Sequence, residues 1–228
     1  VGVAAYVPYG LQIDWDKNSP DNLVSQPGAY SSHESWYYRE VVTPTAAYKI
    51  NDKWSIGMGI SFGRSEAGHY YQNYGLTNYG QAALGGAPGP LGPVNVEGEL
   101  EDSFNYSANV GLMFKPIETL TLGLTYRSQA DTDFDGDLDL DGPGIEALPG
   151  ESKTSYDISM DDVDHPDQVQ FGVRYQPHNR ISLEADVVWT NWSTVDEQTV
   201  EFDEQPANDV LGAILRENYP SGKIVQER

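Results

Sequence analysis

The sequence predicts an all-β protein, a transmembrane antiparallel up-and-down β-barrel of which the chain supplies about seven strands. Three observations predict it. Seven segments alternate apolar and polar residues with period two. Their connections alternate short turns with long polar loops, as in outer-membrane barrels. The polar faces are mainly Ser, Asn, Thr, Gly and Gln, while several apolar faces carry aromatics near their ends. A small soluble barrel would pack its apolar face inward and turn charge outward. A wet or plugged lumen inside a lipid-facing wall fits this pattern better.

The elements follow in order. In the first, Val1, Val3, Ala5, Val7, Tyr9, Leu11, Ile13 and Trp15 share a face. The second groups Trp36, Tyr38, Val42, Ala46, Tyr48 and Ile50, with Glu40 as the exception. The third sets Trp54, Ile56, Met58, Ile60 and Phe62 against Ser and Gly. In the fourth, Phe104, Tyr106, Ala108, Val110, Leu112 and Phe114 oppose Ser103, Asn105, Ser107 and Asn109. The fifth carries Leu120, Leu122, Leu124 and Tyr126 opposite Thr121, Gly123, Thr125 and Arg127. The sixth starts at Ser155 and changes phase around "DDVDHPD", where a bulge is expected, then resumes with Val169, Phe171, Val173 and Tyr175. The seventh sets Ile181, Leu183, Ala185, Val187 and Trp189 against Ser182, Glu184 and Asp186. Short turns are expected at Asn51-Asp52, Pro116 to Glu118 and Pro177 to Asn179, and long polar loops at 16–34, 67–102, 141–154 and from about 194 onward.

The run "DTDFDGDLDLDG", Asp131 to Gly142, looks like a calcium loop, but that template wants a Glu where Gly142 stands, and its flanks are strands rather than helices. It reads instead as a continuation of the fifth strand. Phe134, Leu138 and Leu140 keep the phase of Leu120, Leu122 and Leu124, and the acids keep the phase of Arg127 on the wet face.

Composition narrows the function. The formal charge is −22, with 13 Lys+Arg against 35 Asp+Glu, which argues against nucleic acid because phosphate binding needs a basic surface. With no cysteine there is neither a disulfide framework nor a thiolate metal site. No apolar run approaches the roughly 20 residues of a membrane helix. The 15 Tyr and 5 Trp suit membrane–water interfaces. The histidines (33, 69, 165 and 178) are scattered in or beside loops and suggest neither a metal cluster nor a triad. There is no GxSxG elbow and no phosphate-binding glycine loop. "NYS" at 105 and "NWS" at 191 sit on or beside strands and are accidental glycosylation patterns. Glu184 and Asp186 share a strand face and read as a lumen charge lattice rather than an acid/base pair. No enzyme, cofactor or metal is expected. Val1 opens in mid-strand and "SGKIVQER" ends without a terminal element, so residues 1–228 read as an internal piece of one barrel domain.

Four stretches resemble the FadL-type outer-membrane transporters of long-chain fatty acids and hydrocarbons: "VPYGLQIDWD", "PTAAYKINDKWSIGMGISF", "NYSANVGLMFKPIETLTLGLTYRS" and "HPDQVQFGVRYQPHNRISLEADVVWTNWS". In order and loop spacing the likeness spans roughly residues 1–195, and the tail after Asp203 matches poorly. The resemblance implies a roughly fourteen-stranded barrel plugged by an N-terminal hatch, with hatch and C-terminal strands outside this sequence. It implies passive uptake of hydrophobic molecules, long-chain fatty acids first, through a monomer set in outer-membrane lipid and lipopolysaccharide with long loops extracellular. It places a lateral gate at Pro8, Tyr9 and Gly10, where proline lacks an amide hydrogen and glycine relaxes the strand. Capture falls to Tyr70, Tyr71, Tyr74, Leu76, Leu84 and Leu91 in the 67–102 loop, with Ile145 and Leu148 as partners. Arg39, Arg127 and Arg174 by phase, and Arg64 at the outer end of the third strand, are candidate carboxylate contacts, with pairing to Glu184 or Asp186 as their structural alternative. Three other functions stay open: an aromatic hydrocarbon transporter of the same family, a polar-solute porin, and an outer-membrane lipid hydrolase.

Overall fold

The computed structural model describes residues 1–14, 33–73, 94–161, 163–194 and 197–227. Seven strands form a curved antiparallel wall, a half-barrel, in the order β1 (Gly2–Asp14), β2 (Glu34–Lys49), β3 (Trp54–Asn73), β4 (Val94–Ile117), β5 (Leu120–Arg127), β8 (Gln168–His178) and β9 (Ile181–Thr190). Four shorter strands extend it at the end where the long connections lie: β6 (Phe134–Asp141), β7 (Ser155–Asp161), β10 (Glu197–Phe202) and β11 (Lys223–Glu227). Two helices, α1 (Pro143–Glu146) and α2 (Val210–Asn218), lie at that same loop end.

The expected seven-strand meander is therefore present, with the fifth and sixth strands each broken in two. β4, 24 residues long, spans the break: its lower part pairs with β5 and its upper part with β6. The first tight turn falls where expected, and the other two lie slightly later, at 118–119 and 179–180, with Pro116 and Pro177 in irregular ends of β4 and β8. Asn51 closes the first, its Oδ1 accepting from the amides of Lys53 at 2.8 Å and Trp54 at 2.9 Å.

In the lower wall the outer face is apolar. Met58, Ile60, Phe62, Leu124, Phe171, Leu183 and Val187 are all exposed. Aromatics mark its edges: Trp54 stacks on Phe114 at 4.1 Å near the turns, and Tyr126 and Trp189 stand exposed at the upper rim. Trp15 lies outside the described residues.

At the loop end the polarity reverses. Val94, Val96, Leu138, Leu140, Tyr156 and Ile158 point inward and form a buried core with Leu211, Ile214 and Leu215 of α2. Glu97, Glu99, Glu101, Asp135, Asp137 and Asp139 point outward and are exposed. The acids of "DTDFDGDLDLDG" do line a solvated strand face, but not in the phase of Arg127. The interruption between β5 and β6 inverts the strand, so Phe134, Leu138 and Leu140 face inward while Leu120, Leu122 and Leu124 face outward.

The 67–102 connection is shorter than expected because β3 runs on to Asn73 and β4 begins at Val94. The region after 194 is not a polar loop either. Asp209 caps α2 by accepting from the Gly212 amide at 2.7 Å, and a stripe of Leu211, Ile214 and Leu215 seats the helix on the sheet. Burial of each of these side chains is worth about 1.5–3 kcal/mol.

Candidate functional site

β1 carries the local irregularity that the sequence signalled. Its register with β2 shifts between Tyr6 and Tyr9, so that Val7 and Pro8 together oppose Glu40. That is a bulge, and Pro8 fits it because it has no amide to leave unpaired. The consequence differs from the expected single apolar face. Val3, Ala5 and Val7 face outward, whereas Tyr9, Leu11 and Ile13 pair with Arg39, Tyr37 and Ser35 and face inward. Leu11 and Ile13 remain 71% and 52% exposed on that inner surface, an apolar patch directly above the bulge.

Below the bulge the inner face mixes polar side chains with small ones such as Ala4, Ala47, Gly57 and Gly123. Tyr6, Thr43, Asn109, Arg127, Gln168 and Gln170 help line a cavity of about 650 Å³. Arg127 stands at its upper edge, donating to Asn109 Oδ1 at 3.2 Å and to the Tyr6 hydroxyl at 3.3 Å.

Between the apolar patch and this cavity lies a buried polar network. Two segments dip into the half-barrel there, 128–133 between β5 and β6, and 163–167 between β7 and β8. They are joined by paired backbone bonds between Ala130 and His165, at 2.9 and 3.1 Å, and by Thr132 Oγ1 donating to the Val163 carbonyl at 2.6 Å. The expected bulge at "DDVDHPD" is thus an inward shelf. His165, fully buried, occupies its tip. Its Nδ1 lies 3.2 Å from the Tyr37 hydroxyl and its Nε2 lies 2.8 Å from Ser65 Oγ. Ser65 accepts from Asn105, which also donates to Asp102 and accepts from Arg39 Nε at 2.6 Å. Across the half-barrel, the Tyr9 ring stacks on His165 at 4.9 Å and its hydroxyl donates to the Pro166 carbonyl at 2.7 Å. Burial, with the Arg39 charge behind it, pushes the imidazole down to about 3, so it is neutral at ordinary pH.

The structure separates the four candidate arginines. Arg39 is buried in the network, and its Nη2 has no hydrogen-bond partner. Arg127 lines the cavity. Arg174 lies 3.2 Å from Glu184 near the turn end, the structural pairing expected for it. Arg64 faces outward between Glu40 at 3.2 Å and Glu66 at 3.0 Å, which also accounts for the exceptional Glu40. Asp186 leans over Gly172, where an added Cβ would stand 2.4 Å from its Oδ1.

The capture residues are dispersed. Tyr70 and Tyr71 lie on strand β3 rather than in a loop, on opposite faces. Tyr70 bonds to Glu99 outside, and Tyr71 packs on the inner core. Ile145 and Leu148 are taken up by that same core. Tyr74, Leu76, Leu84 and Leu91 lie outside the described residues. His165 is the residue that sequence reasoning missed. Its signal was a histidine placed just before a proline at the break of a strand.

The fold has close likenesses. A Pseudomonas aeruginosa FadL homologue superposes with a TM-score of 0.70 at 21% identity, covering 88% of this chain and 47% of that one. The Ralstonia pickettii toluene transporter TbuX gives 0.66 at 15% identity, over 99% of this chain and 57% of that one. The chain thus spans about half the length of the solved structures it matches. In sequence it is 29% identical over 101 residues to a long-chain fatty acid transport protein of Escherichia coli, covering 41% of this chain and 23% of that protein. The family described as "Outer membrane protein transport protein (OMPP1/FadL/TodX)" matches residues 1–215, reaching past Asp203, where the resemblance read from sequence was poor, and into α2. The chain belongs to that family of outer-membrane β-barrel transporters of hydrophobic compounds.

Proposed function

We propose that the protein takes up hydrophobic small molecules passively across the outer membrane, with long-chain fatty acids as the principal cargo, and acts as a transporter rather than an enzyme. Cargo is captured at the loop end, which faces outside the cell, and leaves sideways through the wall at Pro8, Tyr9 and Gly10. The protein works as a monomer amid outer-membrane lipid and lipopolysaccharide. One observation carries this reading: the β1 bulge turns Leu11 and Ile13 inward, so an apolar surface leads down to the point where strand pairing is weakest. An apolar molecule gains roughly 25 cal/mol for each Å² it buries there, which a polar channel does not offer.

Arg127 favours a carboxylate-bearing cargo, because it is the candidate arginine that lines the cavity. Arg64 and Arg174 are held by acidic partners, and Arg39 is enclosed. The neutral-hydrocarbon reading draws on the likeness to TbuX and on the apolar Leu11–Ile13 patch, which needs no charged head group.

The test is uptake of labelled oleate by a Gram-negative host lacking its own fatty-acid transporter and carrying the full-length gene. A variant without Pro8 to Gly10 runs in parallel. Uptake that the deletion abolishes, with the protein still inserted, supports both cargo and exit. No uptake by an inserted protein sinks the fatty-acid assignment, and labelled toluene is then the next cargo to try.

A further inference from the structure

The bulge that marks the proposed exit is not free to move. Pro8 interrupts pairing on β1, yet the next residue is tied across the half-barrel to a segment that is far away in sheet order. The Tyr9 ring stacks on His165 at 4.9 Å with the planes 14° apart, and Tyr9 Oη donates to the Pro166 carbonyl at 2.7 Å. The far side of this contact is anchored in turn. His165 is held through both ring nitrogens by Tyr37 and Ser65, and through its backbone by Ala130. Asp167 holds the end of the shelf, its Oδ1 accepting from Asn191 Nδ2 at 3.0 Å.

We propose that Tyr9 and His165 are positioning residues forming a latch that holds the β1 bulge inward, and that protonation of His165 releases it. The proposal rests on the lateral exit at Pro8–Gly10 and adds what fixes the path of the strand beside it.

The charge arrangement explains why protonation would act. Tyr9 faces His165 from β1, Tyr37 and Arg39 from β2, and Asp102 from β4 through Asn105 and Ser65. On its own segment, Asp164 Oδ1 accepts from the Thr132 amide at 3.2 Å, and Asp167 is bound to Asn191. Arg39 is the fixed cation nearby, and it opposes an imidazolium. In the neutral ring one bare nitrogen accepts from either the Tyr37 or the Ser65 hydroxyl; with Nδ1 and Nε2 both protonated, that hydroxyl loses its acceptor and its proton has to be turned away within a buried network. Release lets the shelf hydrate, and Tyr9 loses both its stacking partner and its acceptor. An imidazole titrating near 6.5 when open and about 3 when latched shifts the equilibrium about 100-fold toward release at pH 4.5.

The test uses the full-length protein in lipid vesicles, with nitroxides at Val7→Cys and Phe171→Cys, both exposed on the outer wall. The distance between them is read by pulsed electron resonance at pH 7.5 and 4.5. One narrow distance is expected at pH 7.5, with a second, displaced population at pH 4.5. Tyr9→Phe keeps the stack but loses the bond to Pro166, so it should show the second population already at pH 7.5. His165→Gln replaces the imidazole with an amide that does not titrate, and its distribution should not change with pH. Heat-modifiable migration on gels verifies that each variant is folded. Identical narrow distributions for wild type and Tyr9→Phe at both pH values would overturn the latch. The readout needs no cargo, so failure of the fatty-acid assignment leaves it intact. Conversely, oleate uptake that depends on Pro8–Gly10 without the distance change would discard the latch alone.

Discussion

Truncating Leu215 to alanine tests whether α2 is seated in the loop-end core as described. Leu215 is 1% exposed and belongs to the cluster that joins α2 to β4, β6 and β7. The change removes buried methyl groups and leaves a void beside side chains fixed on three strands. Leu→Ala at such sites costs about 2–5 kcal/mol. The helix keeps its Asp209 cap and the bond from Arg216 Nη1 to the Ala207 carbonyl at 2.6 Å, so it should undock rather than unravel first. Taking a loss of about 3 kcal/mol, the opening equilibrium of α2 rises roughly a hundredfold. Hydrogen exchange on the full-length protein in micelles reads this directly, because α2 amides exchange through that opening. Their rates should rise about a hundredfold while the lower β3 and β5 amides stay as they were. Rates in α2 within threefold of wild type would refute the docking, and with it the inverted core at the loop end.

Gly136→Ala should disrupt the pairing of β6 with β4, since an added Cβ would stand 1.8 Å from the Glu99 carbonyl oxygen; a loss of about 1–3 kcal/mol should appear as faster proteolysis of the loop end. Arg127→Gln should lower oleate uptake at limiting concentration about tenfold, the worth of one charge-assisted bond, and leave toluene uptake unchanged. Glu184→Gln should move the thermal transition little, because the exposed pair with Arg174 is worth under about 1 kcal/mol. Protection of the 163–167 amides should weaken as pH falls. The neutral form of His165 is favoured in the fold, so its contribution is whole above 6.5 and lost progressively toward 3.

The strands were legible because a half-wet wall writes itself into alternate residues. The tight turns were legible from Asn51-Asp52 and the Pro-containing dipeptides. What escaped was phase. In β1, in β4 and from β5 to β6, apolar residues keep one parity throughout: Val3 to Ile13, Val94 to Phe114, and Leu120 to Leu140. Read as unbroken strands, each places all its apolar residues on one face. One unpaired residue in β1 and in β4, and the excursion of 128–133 between β5 and β6, reverse that assignment, and a period-two pattern carries no mark of them. The Pro8 signal located one bulge without saying that it turned Tyr9, Leu11 and Ile13 inward. The helix was missed for a simpler reason. "DVLGAILREN" holds a cap and an i, i+3, i+4 stripe, but it is short and set between polar stretches, so it reads with the loop around it. His165 was passed over because the partners of its ring lie on β1, β2 and β3, all more than 90 residues away.

The reversals are the requirement of a wall that leaves lipid for water. Within the apolar band a strand must turn its greasy side out and its polar side in. Beyond the band, water is outside, and the same strand can stabilise itself only by burying its apolar side within. β2 and β3 make the change by residue choice: Val42 and Phe62 give way to Glu40 and Arg64 on the outer face without any bulge. β1 and β4 keep their apolar parity and slip a residue instead, and the β5–β6 strand reverses through the inward segment 128–133. At that level the inner surface has neither the width of the cavity below nor the dry core above. It is where Arg39, Asn105, Asp102, Ser65 and His165 are enclosed and must satisfy one another, since an unpaired buried polar group costs about 1–3 kcal/mol. The network, the bulge and the shelf therefore share one height for one physical reason. A residue that crosses the lumen at that height, as Tyr9 does, couples the bulged strand β1 to the buried polar network.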